Sequence, residues 1–157
     1  MVDMRIVTQV LSSFTVVFFA ISVSTIGWVR NEDADVNSGL WRFQRNGDTE
    51  ELDNVSSYVN GTRAMMLMAT ISAFIGSLLV GLKLSKAAFL PSLIIAGVAG
   101  FIGIVVFAAY YENEPANDVP GSQPLSDTGF DLSYSFALGV IGFLLAFASA
   151  GAGTKVE

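Results

Sequence analysis

Four apolar stretches, at 6–29, 64–82, 89–111 and 132–153, decide which solvent this chain folds in. A bilayer's hydrocarbon core is about 30 Å thick and takes roughly 20 apolar residues at about 1.5 Å rise each. All four stretches approach or exceed that length, and none has an ionised side chain in its middle. A soluble protein of 157 residues can bury one such helix, but four would overfill its core. The expected fold is an all-α membrane protein, a left-handed four-helix transmembrane bundle with a small extracellular antiparallel β-sheet. It forms one four-transmembrane domain over 1–157, with loops at 30–63 and 112–131.

Charge sets the expected orientation. The first loop carries seven acids (Glu32, Asp33, Asp35, Asp48, Glu50, Glu51, Asp53) and four arginines (Arg30, Arg42, Arg45, Arg63). The second carries Glu112, Glu114, Asp118, Asp127 and Asp131, with no base. The opposite side is short and holds Arg5, Lys83, Lys86 and Lys155 against Asp3 and Glu157. Topology follows Lys/Arg density in short flanks rather than net charge. Both termini are therefore placed in the cytoplasm and both loops outside, in a multi-pass plasma-membrane protein. Two glycosylation sequons, at Asn54 and Asn60, fall in the first loop and agree with this, Asn54 being the better placed because Asn60 adjoins the second helix. The first stretch is expected to stay as a span, since it is longer than the apolar core of a cleaved leader.

Within the helices, Thr8, Ser12, Thr15 and Ser22 fall on one face of the first, a stripe suited to packing against other helices; a pore lining is the alternative. Gly97, Gly100 and Gly103 in the third helix, and Gly139 and Gly142 in the fourth, mark small faces that let backbones approach closely, within the chain or between chains. The turn at 84–87 makes the second and third helices an antiparallel hairpin, with Pro91 expected in the first turn of the third. In the first loop, Trp41-Arg42-Phe43-Gln44 alternates as a strand does. Asn46-Gly47 then signals a two-residue hairpin, and 49–55 is a candidate return strand. The second loop contains three prolines and reads as irregular, with at most one short strand.

Trp28, followed after about ten residues by Gly39-Leu40-Trp41 in the first loop of a four-helix chain, resembles the claudin superfamily. That group takes in claudins, peripheral myelin and epithelial membrane proteins, and the gamma-type accessory subunits of calcium channels and glutamate receptors. The run from Phe130 to Leu138 is also similar to the start of the fourth helix in the myelin and gamma branches. Members carry two loop cysteines after the Gly-Leu-Trp element, the first of which would fall near Gln44, and their disulfide clamps two strands. This chain has no cysteine, which marks it as a divergent member. Read physically, Trp28 at a helix exit fits an interfacial aromatic belt. Trp41 would either pack under the sheet against the helix ends or anchor at the membrane surface.

The chemistry available is narrow. Without cysteine or histidine there is no thiol, haem or Cys/His zinc site, and every carboxylate lies in a loop or tail. No enzyme activity and no cofactor are expected. Asp33-x-Asp35 lacks the rest of a calcium loop, so no metal is assigned. The absence of ionisable residues inside the spans argues against a pump or proton-coupled carrier. The expected partners are the lipid bilayer and other membrane proteins, through self-association in cis or trans or through a larger channel or receptor, and not nucleic acid. The resemblance implies cell–cell junction adhesion or a paracellular barrier; the alternative is an accessory gamma-type subunit that modulates a channel's gating or trafficking. The four-residue tail from Thr154 is too short for a scaffold-binding extension.

Overall fold

A computed structural model describes residues 3–32, 34–52, 55–113 and 125–156. Four helices, α1 (Met4–Ser24), α2 (Ser57–Gly81), α3 (Lys86–Asn113) and α4 (Tyr134–Gly153), form a bundle. Each is long and apolar enough to cross a membrane, and the protein is a multi-pass membrane protein. α2 packs most extensively on α3, and α1 on α4. Beyond one end of the bundle lies a five-stranded antiparallel sheet of β1 (Val29–Asn31), β2 (Val36–Ser38), β3 (Arg42–Arg45), β4 (Asp48–Glu51) and β5 (Asp131–Leu132), in the order β4-β3-β2-β1-β5. A 3₁₀ turn at Leu125–Thr128 precedes β5.

Helix lengths explain where the sheet sits. At about 1.5 Å per residue, the 21 residues of α1 and 20 of α4 just span the hydrocarbon, whereas the 25 of α2 and 28 of α3 outrun it. β1 and β5 start from the ends of the two shorter helices and pair with each other, Val29 opposite Leu132. The sheet is thus tied to α1 and α4 by backbone on both sides.

Several boundaries differ from the sequence reading. The first apolar stretch runs to residue 29, but α1 stops at Ser24 and Thr25 turns extended. Ile26, Trp28 and Val29 prolong the apolar run without prolonging the helix, because they are apolar for burial at the sheet–bundle junction and not for lipid. α2 begins at Ser57, ahead of the apolar run, because the Ser56 side chain caps it by accepting from Val59 N–H at 3.4 Å. Pro91 is not in the first turn of α3: the helix starts at Lys86, so the proline lies inside it. Its missing N–H leaves the Ala87 carbonyl without its usual i+4 donor, at an exposed position. The return strand is shorter than 49–55, ending at Glu51, after which Leu52 N–H donates to the Trp41 carbonyl at 2.8 Å.

Asn46 and Gly47 have φ of +51° and +89°, the left-handed pair that a two-residue hairpin of the right twist requires. They join Arg45 to Asp48, which face each other across the hairpin. At the opposite end of the bundle α2 closes with Lys83 N–H donating to the Val80 carbonyl and Leu84 N–H to the Leu79 carbonyl, at 3.0 and 3.2 Å. This double closure usually places glycine at the left-handed position, but here Lys83 occupies it with φ +57°.

Candidate functional site

The Trp28, Gly39, Leu40 and Trp41 positions gather where the sheet meets the bundle. Trp28 is fully buried, which overturns its placement in an interfacial belt. Its ring packs edge-on against Phe107 of α3 and Phe136 of α4, with centroids 4.6 and 6.0 Å away. The last carbonyls of α1 have no intrahelical donor. The Trp28 indole N–H supplies one, donating to the Ser22 carbonyl at 2.7 Å. The ring therefore closes the end of α1 while filling the space among three helices.

Ser22 and Ser135 complete that closure. Ser22 Oγ donates to the Ser135 carbonyl at 2.7 Å, Thr25 Oγ1 and Ser135 Oγ share a 2.6 Å hydrogen bond, and Ser135 Oγ accepts from Gly27 N–H at 3.1 Å. Two backbone bonds also run from the later segment to the earlier one, from Ser133 N–H to the Trp28 carbonyl and from Ser135 N–H to the Gly27 carbonyl. The other hydroxyls of the α1 stripe, Thr8, Ser12 and Thr15, are also fully buried and donate to backbone carbonyls of their own helix. The stripe is buried against protein.

Gly39 lies against the segment that leaves α1. A Cβ there would overlap the Thr25 carbonyl oxygen and stand 2.7 Å from Ile26 Cα, both backbone atoms that cannot swing aside. Leu40 beside it is fully buried. Trp41 is neither under the sheet nor buried: 37% of it is exposed, and the Arg63 guanidinium stacks on it, 4.7 Å from the ring centroid.

Arg63 is the residue that sequence reasoning missed. From the second turn of α2, its Nε donates to the Leu40 carbonyl at 2.7 Å and Nη2 to the Leu52 carbonyl at 3.2 Å. Leu40 precedes β3 and Leu52 follows β4, so one guanidinium holds both feet of the hairpin. Nη1 also donates to Asn60 Oδ1 at 3.2 Å. The only sequence signal was position: Arg63 is the last charge before the apolar run of α2, on the side where acids dominate.

Outward from this clamp the hairpin is open to solvent. All four residues of β4 are exposed, three are acids, and among the described residues β4 has no strand on its far side. Arg42 faces Glu51 and Arg45 faces Asp48 across the hairpin. Among the described residues the one ion pair within 4 Å joins Arg30 to Glu32, at 3.5 Å and well exposed.

Gly97, Gly100, Gly103, Gly139 and Gly142 lie inside the chain's own bundle. Cβ atoms would meet Phe147 at Gly97, Phe19 at Gly100 and Gly142, Met66 at Gly103, and Ile104 at Gly139, all between 2.5 and 3.1 Å. Gly76, which the sequence reading passed over, meets Leu93 in the same way at 2.7 Å. Asn60 is exposed in the first turn of α2, with Thr62 of its sequon fully buried; Asn54 lies outside the described residues.

The model of the PMP-22/EMP/MP20/Claudin family matches residues 2–151. No curated protein matches the chain.

Proposed function

The chain belongs to the PMP-22/EMP/MP20/Claudin family, and from that premise we propose that it works by protein–protein contact at cell–cell junctions, in adhesion or a paracellular barrier. The observation that carries this reading is the sheet's free edge, where Asp48-Thr49-Glu50-Glu51 is exposed at every residue. An open edge strand pairs with other chains unless charge restricts it. Three acids on four residues restrict β4 to surfaces that bring positive charge. The sheet offers that edge on a fixed mount, because backbone bonds to α1 and α4 and the Arg63 clamp hold it to the bundle.

In this reading the loops face outward from the plasma membrane and both termini are cytoplasmic, as the dense bases of the short side favour. The outward surface then carries twelve acids against four arginines, and a passage lined by it concentrates cations over anions. Asn54 is the proposed glycan acceptor rather than Asn60, whose sequon the helix holds with Thr62 buried.

Expression of the tagged chain in isolated, otherwise non-adherent cells tests the proposal. It should concentrate at contacts between expressing cells, and a charge-reversed β4 (Glu50→Lys with Glu51→Lys) should disperse it without lowering its surface level. Uniform distribution at contacts, with stoichiometric co-purification of a channel or receptor, would instead assign the accessory-subunit role.

A further inference from the structure

The end of the bundle remote from the sheet collects bases at one level. Arg5, Lys83, Lys86 and Lys155 stand just outside the limits of the four apolar stretches, and the three lysines are exposed. The tail keeps Lys155 there because Val156 is buried with Phe89 and Leu93 of α3. Of the acids at this end, Asp3 is engaged in capping α1, its Oδ1 accepting from Arg5 N–H at 2.9 Å, and Glu157 lies outside the described residues. Three of the bases adjoin the mouth of a groove of about 370 Å³ between α1 and α2. The groove's polar members, Gln9, Ser13 and Ser77, bond to one another, while Phe74, Leu78 and Leu82 are exposed on the flank where the hydrocarbon lies. Arg5 is one turn from Gln9 on the same face of α1, and its Nη1 donates to the Leu84 carbonyl at 3.2 Å, across the groove's end. Lys83 stands between Leu82 and Leu84, both exposed, and Lys86 opens α3 directly after this turn.

Lys83 also holds a left-handed φ of +57°, which glycine would take without steric cost. A base kept at a strained position points to a role for its charge. The surroundings narrow the occupant to an anion on an apolar body. A free phosphate or an acidic protein segment would meet the bases and leave Leu82 and Leu84 uncovered at the edge of the hydrocarbon. A zwitterionic phospholipid would cover the leucines, but its own cation offsets its phosphate. Bases beside a membrane span select lipids that are negative overall. We propose that this site binds an anionic phospholipid, whose headgroup charge is held by Arg5, Lys83 and Lys86 while one acyl chain lies along Leu82, Leu78 and Phe74. From Leu82 to Phe74 the groove follows α2 for about 12 Å, close to the depth of one leaflet's chains in a hydrocarbon core about 30 Å thick.

The test places the full chain in phosphatidylcholine vesicles with increasing mole fractions of a phosphatidylserine that bears a diazirine in its acyl chain. Irradiation should label the α1 and α2 peptides that line the groove, and a phosphatidylcholine probe with the same chain should label them far less. Unlabelled phosphatidylserine should compete. Lys83→Gly should raise the mole fraction for half-maximal labelling about fivefold, the roughly 1 kcal/mol of one base beside an anionic headgroup, and Lys86→Gln should add a similar factor. Glycine relieves the strain at position 83, so an unfolding midpoint no lower than that of the unaltered chain accompanies the loss. Equal groove labelling by the two probes would overturn the proposal. So would a phosphatidylserine excess spread evenly over the ends of all four helices, or a half-maximal mole fraction unchanged in the double variant. Displacement by inorganic phosphate, beyond that by sodium chloride of the same ionic strength, would make the site one for a free anion. Displacement by polyglutamate in the same comparison would make it one for an acidic protein segment. Both leaflets of the vesicle carry the probe, so the result is independent of which side the termini face and of the junction reading.

Discussion

Replacing Arg63 by Met keeps the aliphatic stem and removes the guanidinium, which isolates the clamp on the hairpin. Its hydrogen bonds to the Leu40 and Leu52 carbonyls are part-buried, while the one to Asn60 is exposed. Charge-assisted bonds of the first kind contribute about 1.5 kcal/mol each at the low end of their range. Stacking on a ring as exposed as Trp41 adds about 0.5 kcal/mol, and the exposed bond adds little because water replaces it. The loss is then about 3.5 kcal/mol, and it falls on the hairpin because both carbonyls belong to its feet. In native-state hydrogen exchange the β3 and β4 amides, and Leu52 N–H beside them, should exchange on the order of 100-fold faster. Amides in the middle of α3 should not change. Arg63→Lys should fall between, since one ammonium reaches one carbonyl where the fork reaches two. Sheet exchange within a few-fold of the unaltered chain in Arg63→Met would refute the clamp. Equal acceleration in α3 would mean that Arg63 supports the whole bundle instead.

Gly39→Ala should destabilise by about 3 kcal/mol, because the new methyl meets fixed backbone at Thr25 and Ile26; thermal unfolding in detergent and surface delivery both report it. Gln44 and Thr49 stand directly opposite in β3 and β4, so Gln44→Cys with Thr49→Cys should form a disulfide. Closing so small a loop should stabilise the hairpin by about 2 kcal/mol, read as slower exchange of its amides under oxidising conditions and not under reducing ones. Lys83→Gly should raise stability by about 1 kcal/mol, since glycine takes the left-handed φ without steric cost; an unchanged or lower unfolding midpoint would count against the strain assigned there.

What the sequence made legible follows from the length scale of each signal. The four spans stand out because crossing a bilayer demands some twenty apolar residues, and no other local requirement imitates that. Asn46-Gly47 was legible because its turn restricts φ at two adjacent positions. Illegible were the features in which apolar character serves a purpose other than lipid contact. Trp28 looks the same in sequence whether it faces headgroups or the inside of the bundle, and only its contacts with Phe107 and Phe136 decide. β1 and β2 are three residues each, too short for an alternation to be read. Arg63 was hidden because its partners are backbone carbonyls, which every residue possesses.

The missing disulfide and the presence of Arg63 bear on one mechanical question, namely how a two-strand projection stays fixed on a membrane bundle. A disulfide between β3 and β4 joins the strands to each other but not to the helices. The Arg63 fork bonds Leu40, two residues before β3, and Leu52, just after β4, to α2. On the other side, β1 and β5 continue from α1 and into α4, and the bonds around Ser22, Ser135 and Trp28 close that junction. The sheet is therefore attached at both flanks, to α2 through one side chain and to α1 and α4 through backbone. The two attachments differ in how readily they open. The backbone one is covalent and buried, whereas the Arg63 one is electrostatic and in part solvent-exposed. Loosening should begin at β4, the edge that carries the acids, and spread toward β1 only after the clamp has released. An edge that opens first is also the edge whose binding is most easily altered, so Arg63 variants should change contact-site enrichment in cells before they reduce the amount of protein delivered to the surface.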